Sequence, residues 1–492
     1  MMAVDERHTR RRVVAVCTLA AALALWPAAP RAQQAASPAT SPPASTAAST
    51  AKNTNAAFTG AYHVASPIHQ TLTGDWAGLR DRLDERGIEI GIEYVGEGFA
   101  DVSGGIHQGT IYEGRLEVGL HLNLEKLVGW PGASFHASAF QIHGHEPSAN
   151  LAGNLLTVSG IEAFPTTRLF TLWLQQELFG EKLSVRLGQL AADDEFFISE
   201  TAADLVNATF GWPGLTALDM TAGGPAYPLA TPGFRIKVQP NDNLAWLTGV
   251  FSGNPAGSHC AEEPQICDSS GTAFSLAGGV LVISEVQYSI NQGKKAAGLP
   301  GTYKFGFWRE SGSFRDQHFG VDAAEDEVSL GSGEAVAPVL QHGDFGIYAI
   351  ADQTLWRLPG EGERGLNGFL RLGGAPADRN LVSFYADGGF GFKGPIPGRD
   401  DDNVVFGVAY AKISPDAIES DESAQLLSPG LPVRSYETAI ELTYLAKVMP
   451  GWVIQPDLQY VIHPGGGVPN PGGGAGTIPN ALLFALRTRL TF

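Results

Sequence analysis

The segment Tyr112–Glu125 reads YEGRLEVGLHLNLE and sets Glu113, Arg115 and Glu117 at every second position, with His121 and Asn123 continuing the row. Side chains two apart share one face of an extended chain. The spacing therefore builds a ladder of carboxylates flanking a guanidinium, and its chemistry is non-covalent: carboxylates accept hydrogen bonds and guanidinium groups donate them in pairs. Further polar rows of this kind supply Arg186, Arg235, Lys237, Arg371 and Asp387, while Trp308, Tyr348, Trp356 and Tyr385 are aromatic candidates for the same face. Arg115, Glu117, Arg186 and Arg235 fall in mid-strand, where a constriction is expected. The acids Asp193, Asp194 and Glu195 stand in the long stretch after Arg186. They either narrow an entrance or cap a helix and face solvent.

Reactive chemistry finds little support. Ser138 and His136 share a strand face, but no acid stands beside them to complete a triad, so ordinary polarity explains them. No GxSxG, HExxH or Walker motif occurs, and GGGVPNPGGGAG lacks the Lys-Ser/Thr of a phosphate loop. No enzyme activity, catalytic residue or cofactor is expected. Cys260 and Cys267, in HCAEEPQICD, point to a local disulfide in an exported chain. His259, Asp268 and two glutamates make zinc the competing reading, but zinc sites use tighter CxxC spacing, so no metal is expected either.

These rows need strands to carry them. In YEGRLEVGLHLNLE the alternate positions Tyr112, Gly114, Leu116, Val118, Leu120, Leu122 and Leu124 form an almost wholly apolar face. Its length exceeds that of an ordinary soluble strand, roughly 5–6 residues. The two-faced pattern recurs near 88–100, 110–125, 132–143, 167–178, 182–191, 233–240, 243–252, 274–289, 300–310, 344–357, 365–373, 380–393, 402–413, 434–447, 451–462 and 481–492. The links alternate too. Short ones (VGWPG, FGEK, QPND, KVMP) interleave with long ones, as do the periplasmic turns and outer loops of membrane barrels. GGAPADR is shorter than that scheme asks of an outer loop.

Ahead of the strands, residues 1–32 carry a basic start (Arg7, Arg10, Arg11, Arg12), an apolar run and small residues, the pattern of a secretory signal. Residues 33–71 are rich in Ala, Ser, Thr and Pro and are expected to be disordered. LTGDWAGLRDRLDERG, ending at Gly87, predicts one short helix. The expectation is all-β: a transmembrane antiparallel β-barrel of about sixteen strands over 72–492, with a short N-terminal helix. In hydrocarbon every backbone polar group must be paired internally, so strands cross only as a closed barrel. At about sixteen strands the interior is too wide for side chains to fill. An outer-membrane location and an aqueous pore follow. The net charge of −19 argues against a nucleic-acid partner.

Several stretches resemble the carbohydrate-selective, OprB-type porins: LTGDWAGLRDRLDERGI, RLGQLAADDEFF, FGWP, YPLATPGFRIKVQPNDN, the run from GGAPADRN through PGRDDDN to VVFGVAYAKIS, and IQPDLQYVIHPGGGVPNP. They span about Leu72 to Phe492. The resemblance implies a sixteen-stranded pore through which small sugars such as glucose diffuse passively into the periplasm. The alternatives are a general or ion-selective pore and a plugged structural or adhesive barrel. For a sugar pore, Glu113, Arg115, Glu117, Arg186, Arg235, Lys237, Arg371, Asp387, Asp193, Glu195 and Trp308 become candidate contacts, since mixed charge suits a neutral polyol. Other expected partners are outer-membrane lipid and lipopolysaccharide, which acidic outer loops such as AEDEVSLGSGE would reach through divalent ions. A homo-oligomer stays open.

Overall fold

The structure is a computed structural model that describes residues 71–257, 260–292, 298–359, 363–471 and 476–492. The signal segment 1–32, nearly all of the 33–71 tail and His259 lie outside the described residues.

Among the described residues seventeen strands form one sheet: β1 (Ile88–Ser103), β2 (Gly109–Asn123), β3 (Ala133–Gly144), β4 (Thr166–Leu178), β5 (Leu183–Leu190), β6 (Thr231–Asn241), β7 (Leu244–Ser252), β8 (Val280–Ile290), β9 (Gly301–Val321), β10 (Glu327–Ser329), β11 (Ala337–Arg357), β12 (Gly365–Gly374), β13 (Val382–Lys393), β14 (Asn403–Ile413), β15 (Tyr436–Met449), β16 (Trp452–Ile462) and β17 (Ala481–Thr491). Neighbours in sequence pair antiparallel. β10 is a short flap on β9 beyond the barrel wall, since β9 and β11 pair directly. The remaining sixteen close into a ring when β1 pairs with β17, from Glu93↔Thr491 to Ser103↔Leu482. Closure leaves no free edge, the condition for strands in lipid. Among the described residues, no helix is long and apolar enough to cross a membrane.

Alternation sets the two faces. Leu187, Phe234, Trp246, Phe305, Phe307, Leu370, Phe406 and Leu486 are exposed on the outside, where hydrocarbon would cover them. Trp130, Trp246, Tyr288, Tyr303 and Trp356 lie exposed near the short-link end, and Tyr112 and Tyr460 toward the long-loop end. These are the positions of interfacial aromatic girdles.

Three local expectations are corrected. The helix is only α1 (Leu79–Glu85), because the backbone ahead of it turns through positive φ at Trp76, Ala77 and Gly78. The eighth strand begins at Val280 rather than 274. The ninth strand continues to Val321 and its partner begins at Ala337, so most of the expected loop SGSFRDQHFGV…VLQH is a hairpin. That overhang accounts for the short GGAPADR link. Its backbone at Asp378 accepts from Gln317 N (2.7 Å), Arg379 Nη1 donates to Gly343 O (2.6 Å), and Asn380 Nδ2 donates to Asp344 Oδ1 (2.8 Å). A short link suffices because the neighbouring hairpin shelters it. Cys260 and Cys267 are joined by a disulfide.

Candidate functional site

Two long-end loops, 145–165 and 191–230, fold back into the barrel. The inward polar groups of β1, β8, β9, β11, β12, β15 and β16 hold them there. Glu437 on β15 accepts from the backbone N–H groups of Leu155 (2.8 Å), Leu156 (2.7 Å) and Gly465 (2.7 Å), and Glu441 from Val206 (2.5 Å) and Asn207 (3.0 Å). Glu285 on β8 accepts from Phe197 N (3.0 Å), while Lys304 on β9 donates to Ile198 O (2.8 Å). Gln455 and Gln459 on β16 donate to Asp204 O (2.9 Å) and Val158 O (2.8 Å). Glu97 on β1 accepts from Ser159 Oγ (2.8 Å), and Asp352 on β11 from Ser199 Oγ (2.5 Å).

Arg371 is the strongest of these anchors. Its guanidinium donates to the carbonyls of Phe197 (2.9 Å), Thr209 (2.9 Å) and Gly211 (3.0 Å), and it pairs with Asp387 at 2.5 Å. Neither side chain is exposed. Arg371 and Asp387, expected to face water, instead clamp the loop. Trp308, Tyr348 and Tyr385 are corrected in the same way: they sit in the apolar core that loop residues Phe196, Phe197, Leu205, Phe210 and Leu215 form with the wall. Trp308 has 0 % exposure, and Phe197 stacks on Tyr348 at 4.0 Å. Trp356, 50 % exposed, points outward to lipid. Gly407 makes room for the loop, since a Cβ there would lie 2.6 Å from Leu205 and 2.8 Å from Phe210.

The wall from β2 to β6 faces the loop differently. There the acidic turn of the 191–230 loop meets a basic and aromatic surface. Arg235 Nε donates to Glu195 Oε2 (2.7 Å), and Arg186 Nη1 lies 3.5 Å from the same oxygen. Both guanidinium groups also donate to Gln175 Oε1 at 2.9 Å, and Arg235 Nη1 reaches Ser184 Oγ (2.8 Å). Arg186 covers Trp173 at 4.0 Å, and His136 stacks on that indole at 4.9 Å. Arg186 and Glu195 keep 15 % and 13 % side-chain exposure, so the pair is reachable by solvent. Lys237 is half-buried on the same face of β6 as Arg235.

Higher on the same wall, Arg115 lies 3.4 Å from both Glu93 and Glu117, with its Cζ 4.8 Å from the Phe140 ring. Glu113 is buried beside the 145–165 loop at 3 % exposure, away from open water. Ser138 hydrogen-bonds Thr171 (2.9 Å) rather than His136, so no nucleophile–base pair forms.

The acids of the turn are driven apart electrostatically. Burial works to raise the Glu195 carboxyl, but Arg186 and Arg235 outweigh it and hold it down at about 2. Burial raises Asp193 to about 7 although Tyr227 N donates to it at 2.9 Å. Desolvation, with Asp193 alongside, puts Asp194 well above the usual carboxylate range. Asp193 and Asp194 close a short 3₁₀ turn, Ala192–Asp194, that Glu195 directly follows inside the barrel, so the acids neither N-cap a helix nor form a solvated charge run. Among the described residues, no cluster of three or more His, Cys, Asp or Glu is spaced to hold a metal.

Trp173 and Gln175 escaped the sequence reading. Strict alternation from the inward Arg168 turns them outward, but the pairing of β3 with β4 shifts between Ala137 and Ala139, and a one-residue slip exchanges the faces. The covering loop did leave a trace: β7 (LAWLTGVFS) is apolar on both faces, which suits a strand covered on both sides.

Comparison with known proteins agrees with this architecture. The model of the family "Carbohydrate-selective porin, OprB family" matches residues 107–492. Porin B of Pseudomonas aeruginosa is 25% identical over 456 residues, covering 87% of this chain and 92% of its own. The high-pH structure of Pseudomonas putida OprB aligns with a TM-score of 0.75 at 24% identity, covering 86% of this chain and 98% of that one. The low-pH structure of the same protein gives 0.51 at 18% identity, covering 88% and 100%.

Proposed function

The chain belongs to the carbohydrate-selective porin family of OprB type, and from that membership we propose that sugars pass along its β2–β6 wall, between Arg186, Arg235 and Lys237 on the barrel and Glu195 on the inserted loop. The protein is an outer-membrane, sugar-selective channel rather than an enzyme. The observation that carries the route is that one loop carboxylate, Glu195, meets Arg235 and Arg186 at 2.7 and 3.5 Å while Glu195 and Arg186 keep part of their side chains open to solvent.

A sugar hydroxyl can donate to Glu195 and accept from either arginine, exchanging protein–protein hydrogen bonds for protein–solute ones with little net change. Weak, replaceable contacts of this sort permit flux. The His136–Trp173–Arg186 stack offers an aromatic surface beside them for an apolar sugar face. Diffusion through the pore is passive, with glucose-sized sugars as the substrates. Residues 1–32 act as the export signal, and lipopolysaccharide surrounds the long-loop end.

Planar-bilayer recordings with added glucose test the reading. Wild type should show partial block of ion current at millimolar sugar, and Arg235→Gln and Glu195→Gln should weaken it. Unchanged block in both variants would move the sugar path elsewhere in the barrel.

A further inference from the structure

The outer face of β9 changes character abruptly along its length. Tyr303, Phe305 and Phe307 are exposed and aromatic; Arg309, Ser311, Ser313 and Arg315 continue the same outward row, also exposed, and are basic or hydroxylic. On β11 the apolar Phe345, register partner of Arg309, gives way to His342, whose Nδ1 lies 3.3 Å from Ser313 Oγ. Between them the ladder is interrupted at Gly343, at φ +73°. A Cβ on that glycine would lie 4.0 Å from Arg309 Nη2, so the guanidinium extends along the interruption. Long basic side chains at the edge of hydrocarbon reach toward the headgroups in this way. Neither Arg309 nor Arg315 has an ion-pair partner among the described residues.

Two arginines on the outside without an ion-pair partner among the described residues, in a chain of net charge −19, are not explained by composition. They do no work in the pore, because their strand face is opposite to that of Glu310 and Lys304. We propose that this patch binds the phosphorylated headgroup of lipopolysaccharide, with the acyl chains lying over Phe305, Phe307 and Phe345. The proposal rests on the placement of the long-loop end in the lipopolysaccharide leaflet, and gives that contact a direct site instead of an ion-bridged one on the acidic loops.

Three features select this occupant. Guanidinium groups match phosphate oxygens in pairs, and the serine hydroxyls add further hydrogen-bonding groups. The basic group continues directly from the apolar band, so a ligand must carry acyl chains as well as charge. Arg309 and Arg315 are six residues apart, roughly 20 Å along a strand. That span suits a broad headgroup bearing more than one phosphate better than a phospholipid with a single one.

The test uses the detergent-purified chain and native mass spectrometry with deep-rough lipopolysaccharide, the same glycolipid after phosphatase treatment, and phosphatidylglycerol. Wild type should retain the phosphorylated glycolipid in preference to the other two. Arg309→Ser and Arg315→Ser should each lower that affinity about tenfold, as loss of a charge-assisted hydrogen bond does. Lys182→Ser, in the opposite-end turn, should not lower it, and glucose-driven liposome swelling should be unchanged in all variants. Equal retention by a variant carrying both Arg309→Ser and Arg315→Ser, or no preference of wild type for the phosphorylated form, would overturn the assignment. In either case glycolipid binding in general could still hold; only wild type that retains no glycolipid at all would remove the broader lipid contact as well.

Discussion

The two sides of the barrel interior use the same residue types for opposite ends. From β8 round to β1, Glu285, Glu437, Glu441, Gln455, Gln459, Lys304 and Arg371 are bonded to the backbone of the inserted loops, and most are fully covered. From β2 to β6, Arg115, Arg186, Arg235 and Glu117 bond mainly to other side chains, and part of that group stays wet. A charged group tied to a main-chain carbonyl or N–H fixes a loop. One tied to another side chain can exchange its partner for a passing solute.

The largest test of this contrast is Arg371→Met. It removes three carbonyl anchors and leaves Asp387 charged and buried, so about 3–5 kcal/mol of stability should be lost. Thermal unfolding would show the loss, and single-channel conductance should rise as the 191–230 loop loosens. A wild-type unfolding curve and conductance would put the anchor elsewhere.

On the opposite wall, Glu195→Gln should have the reverse profile: sugar block weakened about tenfold, with unfolding altered far less than by Arg371→Met. Equal destabilisation by the two would erase the distinction between the walls.

Titration sharpens it further. Glu195 is depressed in the folded chain, so its contribution is complete above 4.5 and is lost as pH falls through about 2. Asp193 is raised, so the stabilisation that it lends the packed loop is complete below 3.8 and is lost as pH rises through about 7. Between those limits both contribute, and the loop should be held most firmly in mild acid. Channel noise recorded from pH 3 to 8 should therefore grow toward neutrality in wild type, and Asp193→Asn should reduce that rise, the remainder belonging to the neighbouring Asp194.

The smallest expected effect is Trp356→Ala. Its ring faces lipid, so sugar block should stay at the wild-type value, whereas Trp173→Ala, which removes the platform under Arg186, should lower it. Current block across a glucose titration distinguishes the two.

The barrel was legible because period-two alternation is local: Tyr112–Glu125 declares its own faces, and each neighbouring strand repeats the statement. The hairpin of β9 and β11 was harder to see for the same reason. Above the membrane its outward residues, Ser311, Ser313 and Arg315, are polar, and the contrast that marks a lipid-facing strand disappears. The roles of the inward charges were not legible at all. Arg371 and Arg235 look alike in sequence, and the carbonyl of Phe197 that separates them in function lies 174 residues from Arg371. Only the folded ring brings such groups together. The long-to-short pattern of links placed the loops at one end, but nothing local said that two of them turn inward.

The inserted loop has one more consequence. It is attached at Glu285, Lys304, Arg371, Gln455 and Arg235, points distributed around the circumference, and it is filled with aromatic side chains. A hollow cylinder one sheet thick flattens easily when squeezed from the side. A stiff crosspiece fastened at several bearings resists that ovalisation, so the aperture should keep its width as the surrounding leaflets are compressed or stretched.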